Sequence, residues 1–269
     1  MMSSPKIIVV VPTYNESANL PELVRRLFRL PLPGLSVLVV DDNSPDGTGE
    51  LAERLAQEHP GRIEALHRSD KQGLASAYLL GFKHAIERGA DVVVQMDADL
   101  SHAPEYVPSL VKGLAAADVV VGSRYAPGGQ TDPNWGAWRN FLSRYGNLYA
   151  RVVLGLDQRD TTSGFKAYRR EAMQRMGLHD LRCRGFAFQA EIGYRCKQTG
   201  LLVREHPIVF TDRARGTSKM SKSIIIEALV RLPLLRFTER TPTSVVPSPS
   251  LSQPRLRAKS LSPRERDLG

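Results

Sequence analysis

Two pairs of carboxylates follow apolar runs of the kind that form buried strands. Asp97-Ala98-Asp99 comes shortly after Val92-Val93-Val94, and Asp41-Asp42 comes directly behind Val37-Leu38-Val39-Val40. Ligands of an open α/β sheet bind in the crevice beyond the carboxyl ends of the strands, and hard carboxylate oxygens suit Mg2+ or Mn2+. The pattern predicts a site for a divalent cation that carries phosphates. For one Asp-x-Asp alone, acids that merely solvate a loop are the commoner explanation, and the second pair argues against it.

Alternating strands and helices are predicted to position these acids. The apolar periodicity predicts strands at 6–11, 36–40, 62–67, 91–96 and 118–122, and helices at 17–30, 49–58, 73–88 and 140–156. Pro104 should open a further helix in its first turn, where a missing amide is harmless. Near-continuous apolar strands that alternate with helices indicate an α/β fold with a parallel sheet covered on both faces.

Composition limits the class of protein. The chain has 269 residues, 42% of them hydrophobic, and a net charge of +9, which fits one large domain at about 1–238 and favours anionic partners. The two cysteines show no metal-ligand spacing, so neither a zinc site nor a disulfide framework is predicted. No leader is recognised, and no apolar run approaches the roughly 20 residues that span a bilayer.

The last segment differs from the rest. Residues 239–269 carry six Lys or Arg against three acids and are rich in Pro and Ser. Such a segment cannot bury enough apolar surface to offset its ordering entropy. We expect a disordered basic tail that is dispensable for chemistry.

A nucleotide pocket is suggested at the end of the first strand. Pro12-Thr13-Tyr14-Asn15-Glu16 places an aromatic face and a carboxylate beside the crevice of Asp41, and both would suit a nucleobase. Taken alone, the segment is better explained as an ordinary helix start, with Asn15 or Ser17 as a cap and Glu16 near the positive end of the helix dipole.

The ordered set of motifs identifies a family. Over about Ile7 to Leu235 the chain resembles the inverting glycosyltransferases of family 2 with a GT-A fold, and specifically the polyprenol-phosphate (dolichol-phosphate) mannose synthases. Each motif is common alone, but the set in this order is specific. Its members are Pro12 to Glu16, Asp41 to Thr48, Asp97 to His102, Gly122 to Tyr125 and Phe210 to Lys219.

The resemblance implies a GT-A (Rossmann-like), mostly parallel sheet with a nucleotide-binding half at about 6–123 and an acceptor-binding half at about 124–238. It implies GDP-mannose as donor and Mg2+ or Mn2+ as cofactor. Asp97 and Asp99 would hold the metal on the diphosphate, while Ser101 replaces a ligating Gln of relatives and would act through water. The donor would contact Pro12, Tyr14, Glu16, Val39, Asp41, Asp97, Ala98, Asp99, Arg124, Arg213 and Lys219.

The acceptor implied by the resemblance is a polyprenyl monophosphate. Asp99 and Arg124 would be catalytic, and the acceptor phosphate would meet Arg124, Arg139, Ser143 and Arg213. Solvated surface charge is the ordinary fate of Arg and Lys. Several cations around one acidic site would nevertheless offset a pyrophosphate and a lipid phosphate that repel each other.

The acceptor determines the mechanism. A phosphate monoester has a second pKa of about 6 and is already largely a dianion at neutral pH, so it can attack carbon 1 of mannose without a general base. A sugar-hydroxyl acceptor would need a base, for which Glu191 is the nearest candidate. A helix-surface acid or a partner for Arg195 is an equally good interpretation of that residue.

A lipid acceptor calls for a membrane-facing surface. Arg139, Ser143, Arg144 and Arg151 share a helix with large apolar residues, and 224–236 mixes Ile and Leu with Lys and Arg, as in-plane helices do on anionic lipid. Packing on the sheet explains either helix as well, and Pro233 should keep the second one short. We expect a peripheral protein on the cytoplasmic face of the cell membrane, and a membrane-spanning protein is a candidate partner.

Other functions fit parts of the pattern. A polyprenyl-phosphate glucosyltransferase that uses UDP-glucose differs only in a few contacts around Tyr14, Glu16 and Asp41. A non-catalytic nucleotide-binding membrane module would have no need to keep opposed charges at one site. A nucleic-acid partner is not expected, because the sequence offers no recognition helix and no aromatic stacking platform.

Overall fold

The fold was analysed in a computed structural model, which describes residues 4–178, 181, 183, 185–212 and 222–238. The predicted tail at 239–269 lies outside the described residues. No helix in the described part of the chain is long and apolar enough to cross a membrane.

The first half of the chain is a run of strand and helix pairs. Its strands are continuous β-branched and apolar segments, and its helices carry apolar residues at helical spacing on the face that is buried. The elements are β1 (Ile7–Thr13), α1 (Leu20–Phe28), β2 (Leu35–Asp41), α2 (Thr48–Glu58), β3 (Ile63–His67), α3 (Leu74–Glu87) and β4 (Val92–Gln95).

The second half is less regular. A 3-10 turn at Pro104–Tyr106 leads directly into the first helix of this half, at Val107–Gly113, as predicted from Pro104. The elements are α4 (Val107–Gly113), β5 (Val119–Ser123), α5 (Ala137–Leu154), β6 (Lys166–Arg169), α6 (Arg170–Arg175), α7 (Gly185–Gln198), β7 (Val203–Pro207) and α8 (Lys222–Thr238).

The strands form one sheet in the order β3-β2-β1-β4-β6-β5-β7. All pairs are parallel except those of β6, which runs antiparallel to both β4 and β5. The predicted mostly parallel α/β sheet is confirmed, and β6 is its antiparallel strand. β6 is short and carries Lys166, so its sequence lacks the apolar run typical of a parallel strand.

Two hydrophobic cores lie on opposite faces of the sheet. Ile8 and Val10 of β1 point to the face covered by α3 and α7, while Ile7, Val9 and Val11 point to the face covered by α1 and α4. Successive side chains of a strand alternate between faces, so one apolar run supplies both cores. The sheet is covered on both sides, as predicted.

The last described helix differs from the prediction. α8 continues through Pro233 over 17 residues, although a proline was expected to keep the helix short. Leu232 and Leu235 are buried, and the helix packs against α7 and α5. This packing offsets the backbone hydrogen bond that proline cannot make.

Candidate active site

The strand order reverses beside β1, and this brings together the ends of three strands. Thr13 ends β1 opposite Asp41, which ends β2. Gln95 of β4 lies opposite Val10, so the chain leaves β4 towards Asp97 on the other side of β1. A crevice of this kind at a switch in strand order is where open α/β sheets bind ligands.

Asp41 is held rigidly at the end of β2. Its carboxylate accepts a hydrogen bond from Thr13 Oγ1 at 2.8 Å, and two more from the amide and hydroxyl of Ser44 at 2.9 and 2.6 Å. Its neighbour Asp42 has a different role, because it forms a buried ion pair with Arg68 and accepts the amide of Gly73 at 3.0 Å. The first acid belongs to the crevice, and the second belongs to the scaffold.

The segment after β1 places the other residues predicted to hold a nucleoside. Tyr14 is half-buried, and Lys71 Nζ lies 3.6 Å from the centroid of its ring. Glu16 accepts Asn19 Nδ2 at 2.8 Å. Pro12 is buried at the end of β1. Val39 is fully buried in the core below Asp41, so its side chain supports the pocket wall from behind.

Asp97 and Asp99 follow β4 and are fixed by different partners. The hydroxyl of the fully buried Tyr78 donates to Asp97 Oδ1 at 2.6 Å, and the amide of Ser101 donates to Asp99 Oδ1 at 3.0 Å. Burial and the charge of Asp97 raise the pKa of Tyr78 well above its usual value, so this hydroxyl stays a donor. Ala98, between the two acids, is buried in the core.

The residues present fit a divalent metal held jointly with a diphosphate. The described part of the chain contains no cluster of three or more His, Cys, Asp or Glu side chains that would cage a metal. Mg2+ typically uses only one or two carboxylates together with water and substrate phosphates, which matches Asp97 and Asp99. Ser101 Oγ is buried, and the described residues offer it no hydrogen-bond partner. A β-carbon at Gly164 would lie 3.1 Å from Asp97 Oδ2, so the glycine leaves space beside this carboxylate.

His102 is a neutral residue behind these acids. Burial is the main cause that lowers its pKa to about 4, and the charge of Arg124 adds to this against the opposing charges of Asp99 and Asp160. Its ring packs between Phe165 and Phe210, with centroids 5.2 and 5.1 Å away. The imidazole therefore carries no charge at neutral pH.

Arg124 is fixed by a buried carboxylate that the sequence analysis did not identify. Its Nε and Nη2 donate to the two oxygens of Asp160 at 2.8 and 2.7 Å, and Nη2 also donates to Thr162 Oγ1 at 2.8 Å. Arg124 is 9% exposed at its side chain and Asp160 is fully buried. Burial acts to lower the pKa of Arg124, but the charge and hydrogen bonds of Asp160 outweigh it and raise that pKa.

Lys166 is a second charged residue that the sequence analysis missed. It is fully buried in β6 and donates to Gln189 Oε1 at 2.5 Å. Burial lowers the pKa of Lys166 to about 8, although the charges of Asp160 and Asp97 oppose the shift. Lys166 therefore feels the charges of the predicted metal ligand Asp97 and of the Arg124–Asp160 pair.

The residues predicted to meet the acceptor phosphate lie near one another. Ser143 Oγ is 2.7 Å from the hydroxyl of Tyr125, the residue after Arg124. Arg139 lies one turn earlier on α5, pairs with Asp212 at 2.7 Å, and places its guanidinium 4.2 Å from the Trp135 ring centroid. The structure thus brings Arg124, Arg139 and Ser143 to the same side of the sheet. Arg213 and Lys219 lie outside the described residues.

Glu191 is a buried acid. It is fully buried in α7 and accepts the amide of Cys183 at 2.7 Å. The interpretation as a helix-surface acid is therefore wrong. The burial of Glu191 could not be predicted from the sequence. Helical periodicity indicates which face of a helix is apolar, and it does not reveal that an acid is buried by a contact with another segment.

The missed residues share a location. Asp160, Thr162 and Gly164 all belong to one polar loop before β6, and Lys166 opens the strand itself. A loop that combines Asp, Thr, Ser and Gly ahead of a strand is a usable signal for a functional loop. Nothing in the local sequence, however, indicates that this loop meets Arg124, which lies some 36 residues earlier.

Comparisons with known proteins identify similar chains. The family model described as "Glycosyl transferase family 2" matches residues 8–177. The chain is 46% identical over 228 residues to a polyprenol monophosphomannose synthase of Mycolicibacterium smegmatis, covering 84% of this chain and 85% of that protein. It is 44% identical over 227 residues to an undecaprenyl-phosphate mannosyltransferase of Micrococcus luteus, covering 84% and 92% of the two chains.

A solved structure supports the fold. A mannosyltransferase from Pyrobaculum calidifontis, determined in complex with GDP-Man and Mn2+, superposes with a TM-score of 0.54 at 24% identity. The match covers 80% of this chain but 59% of the other, so the chain spans less than two thirds of that protein. At this identity the likeness establishes the shared fold.

Proposed function

The chain belongs to glycosyltransferase family 2, and from this premise we propose that it transfers mannose from GDP-mannose to a polyprenyl monophosphate, with inversion at the anomeric carbon. The observation that carries the proposal is the 46% identity over 84% of the chain to a polyprenol monophosphomannose synthase. The two acids behind β4 lie in the half of the chain that the resemblance assigns to the donor, and the rigidly held Arg124 begins the half that it assigns to the acceptor.

The donor pocket is proposed at the crevice between β2, β1 and β4. Tyr14, Glu16 and Asp41 would hold the base and ribose, since a half-buried aromatic face and carboxylates suit a guanine with ring N–H donors. Asp41 is already oriented by three hydrogen bonds, so little entropy is lost on binding.

The metal site is proposed at Asp97 and Asp99, with Ser101 reaching the ion through water. A bound Mg2+ or Mn2+ would supply charge neutralisation of the departing diphosphate. The chain's own contribution is to hold both carboxylates in place through Tyr78 and the Ser101 amide. Gly164, which has no side chain, also leaves space beside the Asp97 carboxylate.

The transfer step is a single displacement. A non-bridging oxygen of the acceptor phosphate attacks carbon 1 of mannose, the bond from carbon 1 to the oxygen of the β-phosphate breaks, and GDP leaves. The acceptor is a dianion at neutral pH, so no side chain needs to accept a proton. This is consistent with the burial of Glu191, the acid considered as a base.

Arg124 is proposed to stabilise the charge that shifts between the two phosphates. Asp160 and Thr162 fix its guanidinium before substrate binds, and such preorganised donors contribute about 2.7–4 kcal/mol each in other enzymes. Arg139 and Ser143 would bind the acceptor phosphate, and the resemblance adds Arg213 and Lys219 to the same phosphates.

The chain is proposed to act as a peripheral protein at the cytoplasmic face of the membrane. Its α5 carries exposed apolar residues, and α8 exposes Leu229, Val230, Leu234 and Phe237 beside it. The two helices are in contact, with the hydroxyl of Tyr149 donating to the carbonyl of Leu229 at 2.8 Å. Adjacent apolar helix faces with arginines at their margins suit the interface of an anionic bilayer.

The division of labour along the chain is also a proposal. A single GT-A domain at 1–238 would combine a donor half at about 6–123 with an acceptor half at about 124–238. The tail at 239–269 would take no part in chemistry. A variant that ends at residue 238 should therefore keep the transfer rate in detergent.

The test is a transfer assay. The purified protein is incubated with radiolabelled GDP-mannose, a polyprenyl phosphate in neutral detergent, and Mg2+ or Mn2+, and the mixture is extracted with organic solvent. Label in the organic phase that depends on both metal and lipid is the expected result. The nucleobase of the donor is determined by two further measurements. Labelled UDP-glucose replaces GDP-mannose in the assay, and titration calorimetry compares the binding of GDP and UDP. Label that stays aqueous with every donor would mean a non-catalytic module and would contradict the proposal.

A further inference from the structure

A cleft outside the proposed donor and acceptor sites is lined by three arginines. It has a volume of about 360 Å3 and lies along one side of α5. Its walls are Tyr125, Arg144, Asn147, Leu148, Arg151 and Arg159. No acid lines it, so its walls can carry a charge of up to +3.

None of the three guanidinium groups forms an ion pair with a described residue. In the neighbouring candidate site, Arg124 and Arg139 each do. Glu205, close to Arg159, is already engaged by the backbone amides of Arg159 and Asp160 at 3.0 and 2.8 Å.

Arg151 supplies a second, independent observation. Its Nε is buried, and no described residue offers it a hydrogen-bond acceptor. A buried donor without an acceptor is costly, and buried polar groups in native proteins nearly always have a partner. Arg151 lines the cleft, so an anion bound there would be a counter-charge for a guanidinium that the described residues leave without one.

The cleft adjoins an apolar stripe on the same helix. Large side chains recur on α5 at a spacing of three and four residues, and its ends are the most exposed, Trp138 at 73% and Val152 at 71%. Leu148 belongs to both the stripe and the cleft. The full stripe is Trp138, Phe141, Tyr145, Leu148 and Val152.

The cleft shares no residue with the proposed acceptor site, although the two are neighbours. Tyr125 lines the cleft and contacts Ser143 through its hydroxyl. Asn147 also lines it and donates to Thr162 Oγ1 at 3.1 Å, the same oxygen that accepts from Arg124. A group bound in the cleft would lie next to the acceptor phosphate without replacing it.

We propose that this arginine cleft, defined by Arg144, Arg151 and Arg159, binds the phosphate of an anionic phospholipid headgroup. The apolar stripe enters the acyl region while the headgroup phosphate takes the charge-assisted hydrogen bonds of the guanidinium groups. The inference uses the proposed function only in that it places the chain at a membrane. It deepens that function by assigning a lipid site beside the acceptor, which would orient the protein on the bilayer.

The test compares two variants of equal charge. One replaces Arg144, Arg151 and Arg159 by Gln, and the control replaces Arg54, Lys83 and Lys112 by Gln, which are exposed cations on α2, α3 and α4. Binding is measured by cosedimentation with vesicles of phosphatidylcholine containing 30% phosphatidylglycerol, and with pure phosphatidylcholine. The cleft variant should bind the anionic vesicles at least tenfold more weakly than the control, and the neutral vesicles equally well.

Two further measurements identify the ligand of the cleft. Transfer to polyprenyl phosphate in neutral detergent reports the proposed function separately, and its KM for the acceptor should be unchanged in the cleft variant. A raised KM would assign the cleft to the acceptor and overturn the proposal. Displacement from anionic vesicles by inorganic phosphate, beyond that by sodium chloride of equal ionic strength, would assign it to free phosphate and overturn it too.

Folding of the variants is checked by thermal melting. If the triple variant melts early, the double variant of Arg144→Gln and Arg159→Gln replaces it, because both side chains are exposed. It should show the same direction of effect on anionic vesicles. Equal binding by the double variant and a control with Arg54→Gln and Lys83→Gln would overturn the proposal.

Discussion

At the scale of single residues, the candidate site is a set of charges of alternating sign that are fixed before substrate arrives. Asp97 and Asp99 are oriented by Tyr78 and by the Ser101 amide. Arg124 is oriented by Asp160, and the neutral His102 packs against Phe165 and Phe210. Preorganised charges need no rearrangement during the reaction, and this is how such sites lower a barrier.

The first prediction concerns Asp99. The Asp99→Asn variant keeps an oxygen to accept the Ser101 amide but loses the negative charge proposed to hold the metal. Transfer should fall at least a hundredfold, because removal of one well-placed electrostatic group in other enzymes costs about 10²–10³ in rate. The same substitution at the exposed Asp70 should leave the rate unchanged. Near-normal turnover by Asp99→Asn would exclude the proposed role.

The second prediction concerns Asp160 as a positioning residue. Asp160→Asn should lower the transfer rate and destabilise the protein by about 3–5 kcal/mol, because it leaves the buried Arg124 without its counter-charge. Asp42→Asn is the matched control, since it breaks the other buried pair, that with Arg68, and should lose comparable stability. Rates are compared at a temperature where both variants are folded. A similar rate for the two variants would mean that Asp160 is only structural.

At the scale of elements, close packing of α3 on the sheet fixes the position of Tyr78 and hence of Asp97. A β-carbon at Gly81 would lie 2.3 Å from Val10 Cγ1, so only glycine lets this helix approach β1 so closely. Gly146 in α5 has no atom within 4 Å of the corresponding position. The two helices therefore use glycine for different reasons.

The third prediction follows from that contrast. Gly81→Ala should destabilise the protein by about 1–3 kcal/mol through overpacking. Gly146→Ala should stabilise it by up to about 1 kcal/mol, because alanine is the better helix former. Urea unfolding monitored by circular dichroism gives both free energies. Equal changes in the two variants would be incompatible with this account of the packing.

At the scale of the whole molecule, the apolar stripe of α5 and the apolar face of α8 give the protein one side suited to a bilayer. The fourth prediction is that Trp138→Glu with Val152→Glu reduces binding to neutral phosphatidylcholine vesicles at least tenfold, because carboxylates resist transfer out of water. Leu74→Glu with Leu80→Glu on α3 alters two exposed apolar residues elsewhere and should bind as the unmodified protein does. Cosedimentation measures both, and a comparable loss in the control pair would argue against a specific face.

The fifth prediction concerns the stability of the whole molecule against pH. Lys166 has a folded pKa of about 8 against about 10.4 in an unfolded chain, so above pH 8 the unfolded chain binds more protons. The contribution of Lys166 to the free energy of unfolding should therefore rise by about 1 kcal/mol from pH 8 to pH 9. Lys166→Met should lack this contribution, and urea unfolding of both proteins at each pH would detect the difference. The same change from pH 8 to pH 9 in both proteins would contradict the assignment to Lys166.

Cys196 opposes Lys166 in the same pH range. Burial raises the pKa of Cys196 to about 12, whereas an unfolded thiol titrates at about 8.5. From about pH 8 the unfolded chain therefore loses a thiol proton that the folded chain keeps, and this lowers stability as pH rises. The contribution of Lys166 is thus isolated by the difference between the unmodified protein and Lys166→Met, in which Cys196 is common to both.

Much of the donor half could be predicted from sequence, because its information is local. Each strand there is an apolar run, and each acid of interest directly follows one, so the positions of Asp41, Asp97 and Asp99 at strand ends require only the periodicity of the chain. The parallel order of such units then brings those ends to one edge. The predicted limits of these strands differ from the structure by one or two residues.

The sequence by itself thus determined the fold class, the acids of the crevice and, through its ordered motifs, the family. Only the tertiary structure decided that β6 inserts antiparallel between β4 and β5, that Asp160 fixes Arg124, that Lys166 is buried near Asp97, and that α8 continues through Pro233. The physical reason is one of range. Periodicity and turn chemistry act over a few residues, whereas a buried ion pair or a helix held by its neighbours depends on segments that meet only after the chain has folded.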